Sequence, residues 1–292
     1  MRIDIIEVET KRNKIKIVVI FLIILVLIAL FSMLGIYLAK RYQSNYMKKH
    51  KENINISKNE QINKKEEKKN NNSDKANIDT KKLNNIFNKD TKIAYLTFDD
   101  GPTQAVTPLI LDVLKKEQVK ATFFVLGTNV RKNPDLVKRA YLEGHYIANH
   151  GYSHNYSKIY KSSNAVLEEY SKTEKIIRDA IGNKEYSSNL FRFPGGFTGG
   201  KYEKIKKEAG RLLNNKNISY IDWNVLTGDS EGANTKEKIL ENVKKHTKDK
   251  GNIVVLMHDS SSKILTYETL KDVIKYLRQQ GYTFENFYSI MQ

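Results

Sequence analysis

From residue 93 to the end of the chain, short β-rich runs alternate with segments of helical length, and this alternation limits the fold more than any other feature. The runs are 93–98, 121–126, 145–148, 190–193, 218–223 and 253–257, and amphipathic helical patterns occupy 108–117, 134–143, 165–181, 201–213, 235–248 and 267–279. Consecutive parallel strands need a long crossover, normally a helix. Strand-then-helix repetition therefore predicts an α/β domain built on a parallel sheet, either open or closed into a barrel. Pro108 and Pro134 suit first helical turns, where a missing N–H costs nothing.

Upstream the chain changes character twice. Residues 17–39 carry no charge, and at about 1.5 Å per residue they are long enough for a bilayer core of about 30 Å, which predicts a transmembrane helix. A cleavable signal peptide fits less well, because its apolar region runs to only about 7–15 residues. Basic residues flank the span on both sides, Arg2, Lys11, Arg12, Lys14 and Lys16 before it and Lys40, Arg41, Lys48, Lys49 and Lys51 after it, so charge does not choose an orientation. The following stretch to residue 90 is Lys, Asn, Glu and Ser with scattered Ile, too apolar-poor to offset the entropy of ordering, and reads as a solvated tether. The expected organisation is a short N-terminus (1–16), a membrane helix (17–39), a polar linker (40–90) and one catalytic domain (91–292).

Net charge is +17, with 19 basic against 10 acidic residues before Thr91 and 31 against 23 from Thr91 onward. Such a surface favours polyanions, whether nucleic acid, anionic lipid or anionic wall polymer. No nucleic-acid-binding motif and no aromatic stacking platform accompany it, and no obligate protein partner is evident. Cysteine is absent, which excludes disulfides, thiolate chemistry and Cys-ligated zinc, so a metal could be held only by His and carboxylates.

Several chemically capable residues fall at the ends of the predicted strands, the rim where active sites assemble in parallel α/β folds. TFDDG (97–101) stops the first strand with two acids before a Gly-Pro turn. NHGYSH (149–154) spaces His150 and His154 four apart, within reach of one metal if the segment makes a helix-like turn. Asp99, Asp100, His150 and His154 thus offer three ligands and a spare carboxylate, since catalytic metal sites commonly use three protein ligands and leave a position for water. RFPGG (192–196), Asp229 in WNVLTGDS and His258 in VVLMHD complete the set. Taken singly, each motif has a plain structural explanation as a helix cap, a turn or a core histidine. It is their accumulation on one rim that argues for a site.

In this order the five motifs resemble those of the polysaccharide deacetylases, carbohydrate esterase family 4, and the likeness runs from about residue 92 to 288. The resemblance implies a distorted (β/α) barrel with its active site at the strand C-termini. Asp100, His150 and His154 match metal ligands for a divalent ion, zinc above all, with cobalt, nickel or manganese as alternatives. Asp99 matches the catalytic base, His258 the general acid, Arg192 the residue that orients the base, and Asp229 the one that orients and charges the acid. A backbone N–H at the position of Gly195 matches an oxyanion donor. The implied reaction is hydrolysis of N-acetyl groups on an extracellular amino-sugar polymer, most simply N-acetylglucosamine of peptidoglycan, by a membrane-tethered enzyme whose catalytic domain lies outside the cell. N-acetylmuramic acid, poly-N-acetylglucosamine or xylan are alternative substrates, and a catalytically silent wall-binding module is the alternative of a different class. The sequence departs from the family at Gly151, where Ser or Thr is usual, at Gly195, where an aromatic is frequent, at Ser230, where many members have Trp, and at Leu226, often Asp. The changes at Ser230 and Leu226 imply a lower or more open wall on one side of the groove, and the matched metal ligands are intact.

Overall fold

The computed structural model describes Leu83 and residues 86–291. The expected membrane helix, the short N-terminus and most of the linker lie outside the described residues, and among those described no helix is long and apolar enough to cross a membrane. Leu83 and Ile86, inside the stretch read as linker, are buried with Tyr95 and Phe287 in one apolar cluster.

Eight parallel strands form one sheet: β1 (Ile93–Asp99), β2 (Thr122–Val125), β3 (Tyr146–Asn149), β4 (Leu190–Phe191), β5 (Ser219–Tyr220), β6 (Val225–Leu226), β7 (Ile253–His258) and β8 (Thr283–Glu285). Their order is β5-β4-β3-β2-β1-β7-β6, with β8 paired beside the start of β1. The connecting helices are α1 (Thr107–Lys116), α2 (Gly127–Lys132), α3 (Pro134–Leu142), α4 (Tyr156–Ile159), α5 (Ser163–Ile181), α6 (Glu203–Asn214), α7 (Lys236–Thr247), α8 (Ile264–Gln279) and α9 (Tyr288–Met291).

β5 and β6 stand at opposite ends of the strand order, yet only residues 221–224 separate them. Six inter-strand steps of about 4.8 Å would put them ~29 Å apart in a flat sheet, whereas five chain steps reach at most ~18 Å. The sheet must therefore curl. Since β5 and β6 do not hydrogen-bond to each other, the result is a half-barrel rather than a closed barrel.

Alternation along each strand then sorts side chains into two layers. Ala94, Leu96 and Phe98 of β1 and Ile253, Val255 and Met257 of β7 point outward into the main core beneath the helices. Their neighbours face inward, and in β1 these are Tyr95, Thr97 and Asp99, all nearly sealed from solvent. A buried column ending in a carboxylate is what the pattern of β1 delivers to the rim.

Candidate active site

The β1–β7 ladder pairs Asp99 with His258, residues 159 positions apart in sequence, as direct neighbours at the carboxyl ends of adjacent strands. Register alone thus sets a carboxylate beside an imidazole. Each is then held by a different partner.

Asp99 is held by Arg192, which follows the two-residue strand β4 and is completely buried. Its Nη1 donates to Asp99 Oδ1 at 2.9 Å and to Thr97 Oγ1 at 2.7 Å, while Nε and Nη2 donate to the carbonyls of Ile221 (3.1 Å) and Asp222 (3.2 Å). The guanidinium also lies 3.9 Å from the centre of the Phe124 ring. A buried ion pair is tolerable only when its remaining donors are satisfied, and here the guanidinium fork is tied down from four directions. Burial pushes the Asp99 carboxyl above the usual range, and the Arg192 charge pulls it back only in part.

On the other side, Asp229 follows β6 and receives His258 twice, through the backbone N–H (Oδ2, 2.8 Å) and through ring Nδ1 (Oδ1, 2.9 Å). The Thr266 hydroxyl donates to Oδ2 at 2.8 Å, and Lys263 Nζ to the Asp229 carbonyl at 2.7 Å. Burial would lower His258, but the hydrogen bond and charge of Asp229 outweigh it and raise the imidazole to about 9. With Nδ1–H committed to Asp229, a second ring N–H at Nε2 is available for donation at neutral pH.

Between these couples lie Asp100, His150 and His154. His154 Nε2 is 3.3 Å and His150 Nε2 3.6 Å from Asp100 Oδ1, and one ligand atom from each residue falls within 4.8 Å of the others. The HxxxH segment brings its two imidazoles together without a helical turn. It is a loop in which Gly151 (φ 83°) and His154 (φ 53°) take left-handed conformations, pinned by Glu169 of α5, which accepts the N–H groups of Tyr152 and Ser153 at 2.7 Å each and the Ser153 hydroxyl at 2.7 Å.

The three side chains suit a divalent metal on their own chemistry. Asp100 Oδ1 is a buried anionic oxygen with no hydrogen-bond partner, an arrangement that calls for a cation. His150 Nδ1 lies 2.8 Å from the Arg192 carbonyl, which can only accept, so Nδ1 carries the proton and the Nε2 lone pair faces Asp100. Burial, opposed by the Asp100 charge, drops His150 to about 3, so its ring is neutral and cannot itself balance the carboxylate.

The 193–197 turn closes another side. Asp222 accepts the Phe197 N–H with both oxygens at 3.0 Å, and Lys206 Nζ donates to the Gly196 carbonyl at 2.5 Å. Gly195 is at φ 74°, and its N–H has no acceptor among the described residues.

Every residue picked from sequence, Asp99, Asp100, His150, His154, Arg192, Gly195, Asp229 and His258, thus lies at one end of the curled sheet. Five others that share in the site were not singled out. Thr97 could have been read from its period-2 offset to Asp99, whereas Glu169, Asp222 and Tyr156 gave no local signal. Asp259, next to His258, is buried, accepts the Thr107 hydroxyl at 2.6 Å, leaves Oδ1 unpartnered and is raised by burial to about 7.

A polysaccharide deacetylase family profile matches residues 87–212. The chain is 36% identical over 205 residues to a peptidoglycan-N-acetylglucosamine deacetylase of Bacillus cereus, covering 68% of this chain and 71% of that one. Its fold is similar to the crystal structure of the catalytic domain of a peptidoglycan N-acetylglucosamine deacetylase from Eubacterium rectale (TM-score 0.61, 34% identity, 67% of this chain and 88% of that one). It is likewise similar to a CE4 esterase of Streptococcus mutans (TM-score 0.64, 32% identity, 71% and 90%). With the parallel half-barrel and the rim of acids and imidazoles already described, these matches place the chain in the polysaccharide deacetylase family.

Proposed function

We propose that the protein removes N-acetyl groups from N-acetylglucosamine of peptidoglycan. The observation that carries this reading is the pairing of Asp99 and His258 across β1–β7 beside the Asp100–His150–His154 cluster. One group is a carboxyl with an elevated pKa and the other an imidazole that stays protonated to about 9, and hydrolysis of an amide needs one of each. The names of the relatives supply the substrate.

In this mechanism Asp100, His150 and His154 would hold a divalent ion, proposed as zinc, which would supply Lewis-acid polarisation and ease deprotonation of water. Asp99 Oδ2, the oxygen that Arg192 leaves free, takes the proton of the attacking water. Arg192 keeps the carboxylate turned toward that water. The Gly195 N–H donates to the acetyl oxygen as charge builds on it. His258 Nε2–H protonates the departing sugar nitrogen, and Asp229 stabilises the imidazolium until then. Acetate and a free amine leave.

The polar stretch to residue 90 and the apolar stretch 17–39 fit a tether and anchor that hold this domain outside the cell over the wall. Mass spectrometry of muropeptides after digestion of treated wall tests the reading. Loss of one acetyl from N-acetylglucosamine is expected, dependent on added zinc and absent with Asp99→Asn. Loss from N-acetylmuramic acid would reassign the sugar, and no loss would defeat the proposal. Asp100→Asn is expected to lower metal stoichiometry, whereas Asp99→Asn leaves it intact.

A further inference from the structure

Tyr156 opens α4, two residues past His154. Its hydroxyl points at the Gly195 turn: a Cβ built on Gly195 would lie 2.6 Å from Tyr156 Oη and 3.2 Å from Cζ. The ring centroid stands 5.4 Å from that of His154. Tyr156 therefore spans the gap between the metal-ligand cluster and the backbone N–H proposed for the acetyl oxygen.

The ring is held from behind. It meets Tyr160 nearly edge-on at 5.7 Å and Tyr202 at 6.5 Å, and Tyr160 in turn donates its hydroxyl to the Pro194 carbonyl at 2.7 Å. Tyr160 thus ties α4 to the residue before Gly195. Tyr156 is 39% exposed, so it stands at the surface of the site and is not sealed into the core. The Tyr156 O–H thus lies against the residue that carries the Gly195 N–H, and neither donor has a partner among the described residues. Any side chain at residue 195 would have to displace that hydroxyl. A φ of 74° disfavours one in any case.

We propose that the Tyr156 hydroxyl is a second donor of the oxyanion site, working beside the Gly195 N–H on the acetyl oxygen of the substrate; the inference rests on the deacetylase reading. Negative charge appears on that oxygen only as water adds to the carbonyl carbon, so a fixed donor there contributes more to the transition state than to the bound substrate. Its signature is a loss in kcat without a matching rise in KM.

The test uses the full chain in detergent, with acetate release from peptidoglycan as the assay and with metal stoichiometry and thermal melting as controls. Tyr156→Phe keeps the ring and its packing, and is expected to lower kcat on the order of 10²-fold with KM, metal content and melting temperature unchanged. Gly195→Ala should lower kcat too, by pushing the hydroxyl aside. In the Tyr156→Phe background that substitution should cost less, because the hydroxyl is already gone. An active wild type with Tyr156→Phe at full kcat, or with only KM raised, would overturn the inference while leaving the deacetylase reading standing. Strict additivity of the two substitutions would overturn it as well. A wild type that releases no acetate overturns both.

Discussion

The two sides of the cleft solve opposite problems with the same kind of residue. Asp99 and Asp229 are both buried carboxylates, and the side chain of each is hydrogen-bonded to a basic partner. Asp99 faces Arg192, a cation that cannot release its proton, so the guanidinium is the fixed charge and the carboxylate is the part that reacts. Asp229 faces His258, which can, so there the imidazole reacts and the carboxylate is the fixed part. Exposure follows the division: the Arg192 side chain is fully buried, and that of His258 is 12% exposed. What a buried carboxylate does here is set by whether its partner can titrate.

Substitutions that exchange or erase this difference should have graded effects. The largest is expected from Asp99→Asn, which removes the reactive oxygen while keeping its shape: kcat should fall by ~10³-fold or more at unchanged metal content, measured as acetate release beside elemental analysis. Arg192→Met should come next in activity and cost most in stability. It leaves Asp99 buried without its cation, and losing one partner of a buried pair typically costs about 3–5 kcal/mol, read as a lower denaturant midpoint. Retained stability in that variant would show that Asp99 is neutral in the folded protein.

On the other side, Asp229→Asn should move a pH limb more than it lowers a plateau. In the wild type the acid limb of His258 lies near 9, so kcat should hold through neutral pH and fall as pH rises through about 9. Without the Asp229 charge the limb should retreat toward and below the ordinary histidine value, and activity at pH 8 should drop about tenfold or more. The same shift has a stability face. A folded pKa raised above the unfolded value contributes stability that is complete below about 6.5 and lost as pH rises through about 9, so the melting temperature should decline over that window in the wild type and stay flat in Asp229→Asn. Ser230→Ala should do least. Its hydroxyl lies 3.0 Å from His258 Nδ1 in an exposed position already served by Asp229, and a change in kcat of less than about threefold is expected.

The sheet was legible in sequence wherever a strand was long enough to show periodicity. β1, β2, β3 and β7 fall within a residue or so of the predicted runs. The runs 190–193 and 218–223 shrink to two-residue strands, because their remaining residues are drawn into the turns that carry Arg192 and Asp222. β6 and β8, of two and three residues, left no pattern above the background of their neighbours. Openness of the barrel was out of reach as well, since it depends on whether β5 and β6 pair, a property of two edges and not of either segment. In the site, every residue that ends a strand could be found. Glu169, Asp222 and Tyr156 could not, because each lies against a loop distant in sequence and its own surroundings read as ordinary helix or turn.

One packing detail reaches beyond chemistry. The Asp259 carboxylate occupies the space that a side chain at residue 101 would need, with Oδ2 only 2.0 Å from where a Cβ would sit on Gly101. The first and last motifs of the domain are therefore interlocked, and the glycine of TFDDG is dictated by a residue 158 positions downstream. For protein engineering the two must travel together. A chimera that takes its amino-terminal strands from one parent and its last βα unit from another is viable only if both parents meet the same fit at this junction. Randomising position 101 should return glycine alone until residue 259 is made smaller.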